Sequence, residues 1–387
     1  MRDRLDQLRR LGFAAVFAVI ASGTLAETNP VCGTPAALDD GWIAASPESA
    51  GLDGARLCGI AARLKDTEAD VHAVVIVRHG ELVFEQYFAG YDERWDVPGQ
   101  YDHDATTRHD MRSASKSVIS LLIGIAIDRK LIAGVDEPVV KFFPEFSALK
   151  TPGWDGITLR HLLTMSSGIK WNENLAWTDP GNDEPHLGAD ANPLQYILAK
   201  PIAGPPDTIW TYNGGGTDLL SNIIERVSGK SLQAFARETL FQPLSITDWE
   251  WKTYPTNGKI AAAIGLRLRP RDAAKLGQLV LNRGVWEGRQ VVPAAWIAQS
   301  TAPRFQAIGY FGDLFFYGYQ WWLGRTLSEG KEVTWIAAMG QGGQRIFVVP
   351  ELDLVVMMTS GLYFSGHQGH AEIDILSNFV IPSIRDR

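Results

Sequence analysis

Met111-Arg112-Ser113-Ala114-Ser115-Lys116 runs straight into Ser117-Val118-Ile119-Ser120-Leu121-Leu122-Ile123-Gly124-Ile125-Ala126-Ile127. The stretch sets a Ser-x-x-Lys at the mouth of a helix that is apolar on nearly every face. Such a helix is buried in a domain interior. Residues i and i+3 share a helix face, so the Lys116 amine reaches the Ser113 hydroxyl. A serine hydroxyl is a weak nucleophile at neutral pH and needs a neighbouring base. A lysine in dry surroundings holds its proton poorly and can serve as that base. The Ser113 amide sits near the positive helix end, which favours a developing oxyanion. A second reading of the same residues is an N-cap serine beside a snorkelling lysine.

The spacing occurs four times, at Ser113/Lys116, Ser147/Lys150, Ser167/Lys170 and Ser328/Lys331. Ser147/Lys150 runs into the turn Thr151-Pro152-Gly153. Ser167/Lys170 contains Gly168 and reads as a helix end, and Ser328/Lys331 contains Glu329-Gly330 and reads as a hairpin loop. Only Ser113/Lys116 opens a long buried helix.

Outward from that helix, 51–65 reads as an amphipathic helix with Leu52, Leu57, Ile60, Ala61 and Leu64 on one side. Val71–Val77 and Leu82–Phe88 flank Arg78-His79-Gly80-Glu81 and predict a hairpin. The buried helix is expected over about 114–130. Pro, Gly and Trp then thicken from 134 to 215 between short helices such as Leu159–Met165 and Leu194–Leu198. Helices are predicted again over Leu219–Val227, Leu232–Leu240, 270–282 and 293–300. Strand signal returns at Val333–Ala337, Ile346–Val349 and Leu354–Thr359, and Glu372–Ile384 closes as a helix. The plan is α+β: one antiparallel sheet built from the N- and C-terminal segments, flanked by helices, with a mainly helical region inserted. The boundaries expected are an α/β part at about 45–135 and 265–387 and a helical part at about 136–264, in a single domain over 27–387.

Three further groups invite a chemical reading. Trp210-Thr211-Tyr212-Asn213-Gly214-Gly215-Gly216 reads as a glycine-rich turn before the helix at 219. Its Tyr212 becomes a general base or acid if a nearby ammonium lowers its pKa, and is otherwise a turn tyrosine packed on Trp210. No Gly-Lys-Ser/Thr follows, so this is not a nucleotide loop. Gly340-Gln341-Gly342-Gly343 lies between strands, where backbone amides form an oxyanion hole or a plain hairpin. The aromatics crowded into 305–322 read as core or as the lining of an apolar pocket. His367, His370 and Glu372 fit no zinc pattern, so neither metal nor cofactor is expected. There is no Gly-x-Ser-x-Gly elbow for a Ser-His-Asp triad.

Arg2, Arg4, Arg9 and Arg10, the apolar run Leu11–Ile20 and Thr24-Leu25-Ala26 predict a signal peptide over 1–26 and a periplasmic or secreted protein. Arg9-Arg10 also fits twin-arginine export. The alternative is a membrane anchor or a first helix. Beyond this segment no apolar run approaches the roughly 18 residues of a membrane span. The chain's net charge is −8; removing four Arg and two Asp with residues 1–26 leaves −10, which excludes a typical nucleic-acid binder. Cys32 and Cys58, the only cysteines, are expected to pair in an oxidising compartment, the alternative being two free thiols.

Together these stretches resemble the serine β-lactamase and penicillin-binding-protein superfamily, whose signature set is Ser-x-x-Lys, a Ser or Tyr motif, then Lys-Thr-Gly on a strand. The resemblance covers roughly 45–385. His161-Leu162-Leu163-Thr164-Met165-Ser166-Ser167-Gly168 and Tyr317-Gly318-Tyr319-Gln320-Trp321-Trp322 look like the class C-like branch of esterases and 6-aminohexanoate-dimer hydrolases. The resemblance implies that Ser113 is the nucleophile, Lys116 its proton acceptor and Tyr212 the motif tyrosine, with an oxyanion hole from the Ser113 and Gln341 amides. It implies substrate contacts at Asn213, Gly214, Gly340, Gly342, Trp171 and Tyr317.

Two positions depart from the pattern. The motif's Asn falls at Gly214, with Asn213 one place early. The Lys-Thr-Gly strand reads Ala338-Met339-Gly340, which removes a cation worth about 1.5–3 kcal/mol to a bound carboxylate. The expectation is a hydrolase of small-molecule esters or amides with a neutral or amine-bearing substrate. A β-lactamase or D-Ala-D-Ala carboxypeptidase is the alternative, and a non-catalytic sensor on the same fold the alternative of another class.

Overall fold

Two apolar alternations in Val71–Arg78 explain the layering. Val75 and Val77 join one buried cluster, while Val74 and Ile76 join another on the opposite face. Successive side chains of a strand point to opposite faces, so a strand apolar at every position needs cover on both sides. The computed structural model describes residues 32–386 apart from Asp96, Leu149, Lys150, Phe364, Gly366 and His367. The expected signal peptide lies outside the described residues, as do Lys150 and His367.

The main sheet has eight antiparallel strands. In spatial order they are Phe305–Gln306, Phe316–Tyr317, Trp322–Ser328, Lys331–Gly340, Gln344–Val349, Leu354–Ser360, Val71–Arg78 and Glu81–Tyr87. The N-terminal hairpin is joined to the last strand, with Val75 opposite Met357 and Arg78 opposite Leu354. The two ends of the chain therefore share one sheet. The hairpin turn is His79-Gly80, both at positive φ, as a tight two-residue hairpin turn requires. Ser328 and Lys331 flank another tight turn, where a hairpin loop was expected.

The helix Gly54–Thr67, capped by Asp53, covers one face with Leu57, Ile60 and Leu64. The C-terminal helical segment from His370 covers the same face with Ile375, Leu376 and Val380. The other face is covered by Pro270–Leu281 and by the buried helix Ser115–Asp128. Gly124 of that helix is required by contact, because a Cβ there would meet the Trp296 ring at 2.3 Å. Residues 129–264 supply the short helices Leu159–Leu163, Asp183–Ala189 and Pro193–Leu198 and the longer helix Gly214–Ser228. No helix among the described residues is long and apolar enough to cross a membrane.

Two expectations are corrected. Gly214-Gly215-Gly216 is not a turn; it is the first turn of the helix Gly214–Ser228. Asn213 caps it, accepting from Gly216 N–H at 2.9 Å, and the space over Gly215 is filled by Trp171, 2.7 Å from where a Cβ would stand. Cys32 and Cys58 are two thiols rather than a bridge. Cys58 Sγ donates to the Cys32 carbonyl at 3.4 Å, while Gln86 Nε2 donates to Cys32 Sγ at 3.1 Å.

Candidate active site

Ser113 sits in the short 3-10 turn Arg112–Ala114, which feeds directly into Ser115–Asp128. Arg112 has φ 47, a conformation costing a non-glycine residue roughly 1–2 kcal/mol. The turn is held against this strain from both sides. Met111 N–H donates to Leu266 O at 2.8 Å, and Ser115 Oγ bridges Arg112 O at 2.6 Å and Leu266 N–H at 3.2 Å. Gly340, the last residue of its strand, packs on the same turn so closely that a Cβ would stand 2.2 Å from Met111 O.

Lys116 is fully buried. Its Nζ donates to Ser113 Oγ at 2.9 Å, lies 3.5 Å from Ala263 O, and stands 4.8 Å from the Tyr212 ring centroid. Burial alone would make this lysine a weak holder of its proton, as the sequence suggested. The structure reverses that expectation. Burial pulls the Lys116 pKa down, but Tyr212, Glu173 and Glu184 more than offset it, and the net direction is upward. Tyr212 also lies above its ordinary value: burial and Glu173 push it up, and Lys116 and the Ser113 hydroxyl oppose them incompletely. The resting pair is an ammonium beside a neutral phenol.

The cavity over Ser113 measures about 320 Å³. Ser113, Tyr212, Gly340 and Gln341 form its floor, and Tyr310 and Trp322 are among the aromatic walls. Tyr212 is wedged among Trp210, Tyr310 and Trp322 at centroid separations of 6.0, 5.1 and 5.8 Å. A neighbouring hollow of about 500 Å³ shares Arg112, Trp177, Glu184, Ile264 and Gln341 with it and extends to Tyr91, Glu93 and Tyr254.

Of the residues singled out in the sequence, Ser113, Lys116, Tyr212, Gly340 and Gln341 converge here. The remaining five stand behind the wall. Asn213 is a buried helix cap. Gly214 N–H donates to Glu173 Oε2 at 2.7 Å, and Trp171 Nε1 donates to the same oxygen at 2.6 Å. Tyr317 is buried edge-on against Trp210 and Tyr212. Gly342, at φ 86, abuts the Tyr363 ring and donates its N–H to Gln368 Oε1.

Carboxylates were missed by the sequence reading. Glu173 and Glu184 line the cavity, and Glu184 is pushed up to about 7 by burial and by Glu173, with Lys116 and Arg112 opposing. Asp218, behind Ala263, is likewise pushed up to about 7, chiefly by burial; its Oδ1 accepts from Ala263 N–H at 3.2 Å. No periodic pattern marks Glu173 or Glu184. Glu173 comes from irregular chain and Glu184 from the first turn of the helix Asp183–Ala189, its N–H donating to the capping Asn182 Oδ1.

Comparison with known proteins places this geometry in a family. The chain is 26% identical over 329 residues to 6-aminohexanoate-dimer hydrolase of Paenarthrobacter ureafaciens, covering 79% of this chain and 77% of that protein. It is 29% identical over 189 residues to Esterase EstB of Burkholderia gladioli, 46% of each chain. In fold it is similar to the octameric penicillin-binding protein homologue from Pyrococcus abyssi, with a TM-score of 0.63 and 20% identity over 84% of this chain and 76% of that one. The Beta-lactamase family model matches residues 60–374, and this serine hydrolase belongs to the beta-lactamase family.

Proposed function

We propose that the protein is an exported esterase or amidase that cleaves small neutral or amine-bearing substrates through an acyl-enzyme on Ser113, in one catalytic domain over 27–387. The observation that carries this reading is the 2.9 Å contact between Lys116 Nζ and Ser113 Oγ under the Tyr212 ring. A binding module on this fold has no need of a buried ammonium aimed at a serine hydroxyl.

The reaction starts when the Lys116–Tyr212 pair has lost one proton. Ser113 Oγ attacks the substrate carbonyl carbon and its proton passes to the pair. The carbonyl oxygen becomes an oxyanion facing the Ser113 and Gln341 amides, and such donors act best in a water-poor site. The pair returns the proton to the leaving alkoxide or amine as the C–O or C–N bond breaks. Water then repeats the sequence, and Ser113 leaves with its proton restored. Two cavity carboxylates suit an ammonium on the substrate, and the strand Ala338-Met339-Gly340 offers no cation for a carboxylate.

A fluorophosphonate tests the assignment. The adduct is expected on the peptide containing Ser113 and is expected to vanish in Ser113→Ala, with turnover of p-nitrophenyl esters lost in parallel. Labelling at another serine overturns it. Turnover of a β-lactam in preference to every ester and amide of the panel would instead favour the β-lactamase alternative.

A further inference from the structure

Three histidines from separate segments meet at the start of the strand Val71–Arg78, outside the Ser113 cavity. His72 lies on the strand Val71–Arg78, His109 on the short strand His109–Asp110, and His103 on the loop before it. Each offers a ring nitrogen within 4.8 Å of the others. His72 and His109 are fully buried, and His103 stacks on His72 with centroids 4.1 Å apart.

The proton positions leave a gap that calls for a cation. His109 Nδ1 lies 3.1 Å from the Asp110 carbonyl oxygen, which can only accept, so this nitrogen carries the hydrogen and Nε2 presents a lone pair. That lone pair faces His72 Nδ1 at 2.8 Å. On the far side of the same ring, His72 Nε2 lies 3.3 Å from Asp70 Oδ1 yet makes no hydrogen bond. The 2.8 Å contact is therefore filled either by a hydrogen on His72 Nδ1 or by a cation. Asp92 Oδ1 stands 3.6 Å from His109 Nε2. Asp92 is fully buried, and its Oδ2 and His103 Nε2 have no hydrogen-bond partner; Arg94 Nε approaches that Oδ2 only to 3.6 Å. A proton on His72 Nδ1 would fill the space between two rings but would leave His72 Nε2, His103 Nε2 and Asp92 Oδ2 without a partner.

We propose that His72, His103, His109 and Asp92 bind one divalent transition-metal ion of the zinc class. Three imidazoles and a carboxylate are a nitrogen-rich set suited to such ions. Ligand atoms on a tetrahedral zinc with bonds of about 2.0–2.1 Å stand roughly 3.4 Å apart, against 2.8 Å for His72 Nδ1 to His109 Nε2 and 3.6 Å for His109 Nε2 to Asp92 Oδ1 here. Imidazole ligates such an ion in its neutral form. The Asp110 carbonyl on His109 is the outer partner that ligating histidines usually have.

The ion ties the 90–110 segment to the sheet. Asp92 Oδ1 accepts from Tyr363 OH at 3.0 Å, and the Tyr363 ring lies 4.9 Å from the Arg112 guanidinium, next to Ser113. Tyr91 and Glu93, on either side of Asp92, line the adjoining hollow. The ion is a positioning element for that wall and takes no part in the acyl transfer.

The test uses untagged full-length protein. Elemental analysis after dialysis against zinc is expected to give about one equivalent per chain. Cobalt(II) added to chelator-stripped protein is expected to give the visible d–d absorption of a tetrahedral site, and zinc is expected to raise the Tm of the stripped protein. In His103→Gln, a loop residue whose loss spares the core, the equivalent, the cobalt spectrum and the Tm rise are all expected to disappear. Stripped wild-type protein that neither takes up zinc nor changes Tm overturns the proposal. So does unchanged cobalt absorption in His103→Gln, which would place the ion elsewhere.

Discussion

Replacing the two members of the Ser113 proton relay, singly and together, tests the mechanism most sharply. Lys116→Met keeps a long apolar stem in a fully buried position and removes the 2.9 Å contact to Ser113 Oγ. Tyr212→Phe keeps the ring among Trp210, Tyr310 and Trp322 and removes only the hydroxyl. A positioned acid–base group contributes about 10²–10⁴-fold, or about 3–5 kcal/mol of barrier. Each single variant should lose that much in kcat on a p-nitrophenyl ester. If the pair works as one unit, the double variant loses no more than the worse single, whereas independent groups would multiply to about 10⁴–10⁸-fold. The pH profiles add an independent sign. Both groups lie above their ordinary values, and the reaction needs the pair one proton short, so kcat/KM should rise toward alkaline pH. Tyr212→Phe removes a group that raises Lys116, leaving burial to pull it down, and the rise should move to lower pH. Lys116→Met removes a charge that lowers Tyr212, and the residual rise should move higher. Multiplicative losses, or shifts of the same sign in both variants, would refute the shared relay.

Four other outcomes follow from particular contacts. Asp218 and Glu184 are held near 7 in the fold against ordinary values of 3.8 and 4.5; the native state binds the extra protons, so stability should fall between about pH 4 and 7, and Asp218→Asn should flatten that slope in a Tm series. Gly340→Ala sets a Cβ 2.2 Å from Met111 O, so the turn carrying Ser113 must shift; fluorophosphonate labelling should slow more than tenfold while circular dichroism stays near wild type. Cys32 and Cys58 should be recovered as two thiols, read by intact mass with alkylation before and after reductant; burial and Cys32 push Cys58 up to about 12, so its reaction with an external disulfide at neutral pH should be slow. Short-chain esters should turn over faster than a cephalosporin, by kcat/KM, and a cephalosporin preference would contradict the reading of Ala338-Met339-Gly340.

The long elements were legible because burial imposes a period. Ser115–Asp128, the His79-Gly80 hairpin and the C-terminal strands all lie where apolar spacing put them. The glycine run misled, since glycine at 214–216 reads as a loop when nothing shows that Trp171 and Glu173 press on a helix start. Ser113 and Lys116 could be paired from spacing because one helical turn joins them. Glu173, Glu184 and Asp218 could not, because their proximity to Lys116 depends on how a loop and two separate helices pack against the buried helix. The histidine cluster was illegible for the same reason: three separate segments bring His72, His103 and His109 together. The direction of the Lys116 shift was misjudged because burial is visible in sequence and the carboxylates opposing it are not.

Those carboxylates link charge at the cavity to the chemistry on Ser113. Its arginines are only partly engaged: Arg112 pairs with Glu93 at 2.9 Å, and Arg345 donates through Nη1 to the Gly340 and Gln344 carbonyls at 2.8 and 2.9 Å while its buried Nη2 has no partner. An anionic substrate meets Glu173 and Glu184 as well as the open Arg345 Nη2, and the two carboxylates oppose it. An ammonium on the substrate meets the opposite situation. It pairs with Glu184, whose pKa then falls from about 7 as the carboxylate gains a cation. The same positive charge weakens the hold of these carboxylates on the Lys116 proton, because they are now shared between two cations. The substrate that the cavity charge favours is thus one that helps bring the relay to its reactive protonation state, and the alkaline rise in kcat/KM should begin at lower pH for an amine-bearing ester than for its neutral isostere.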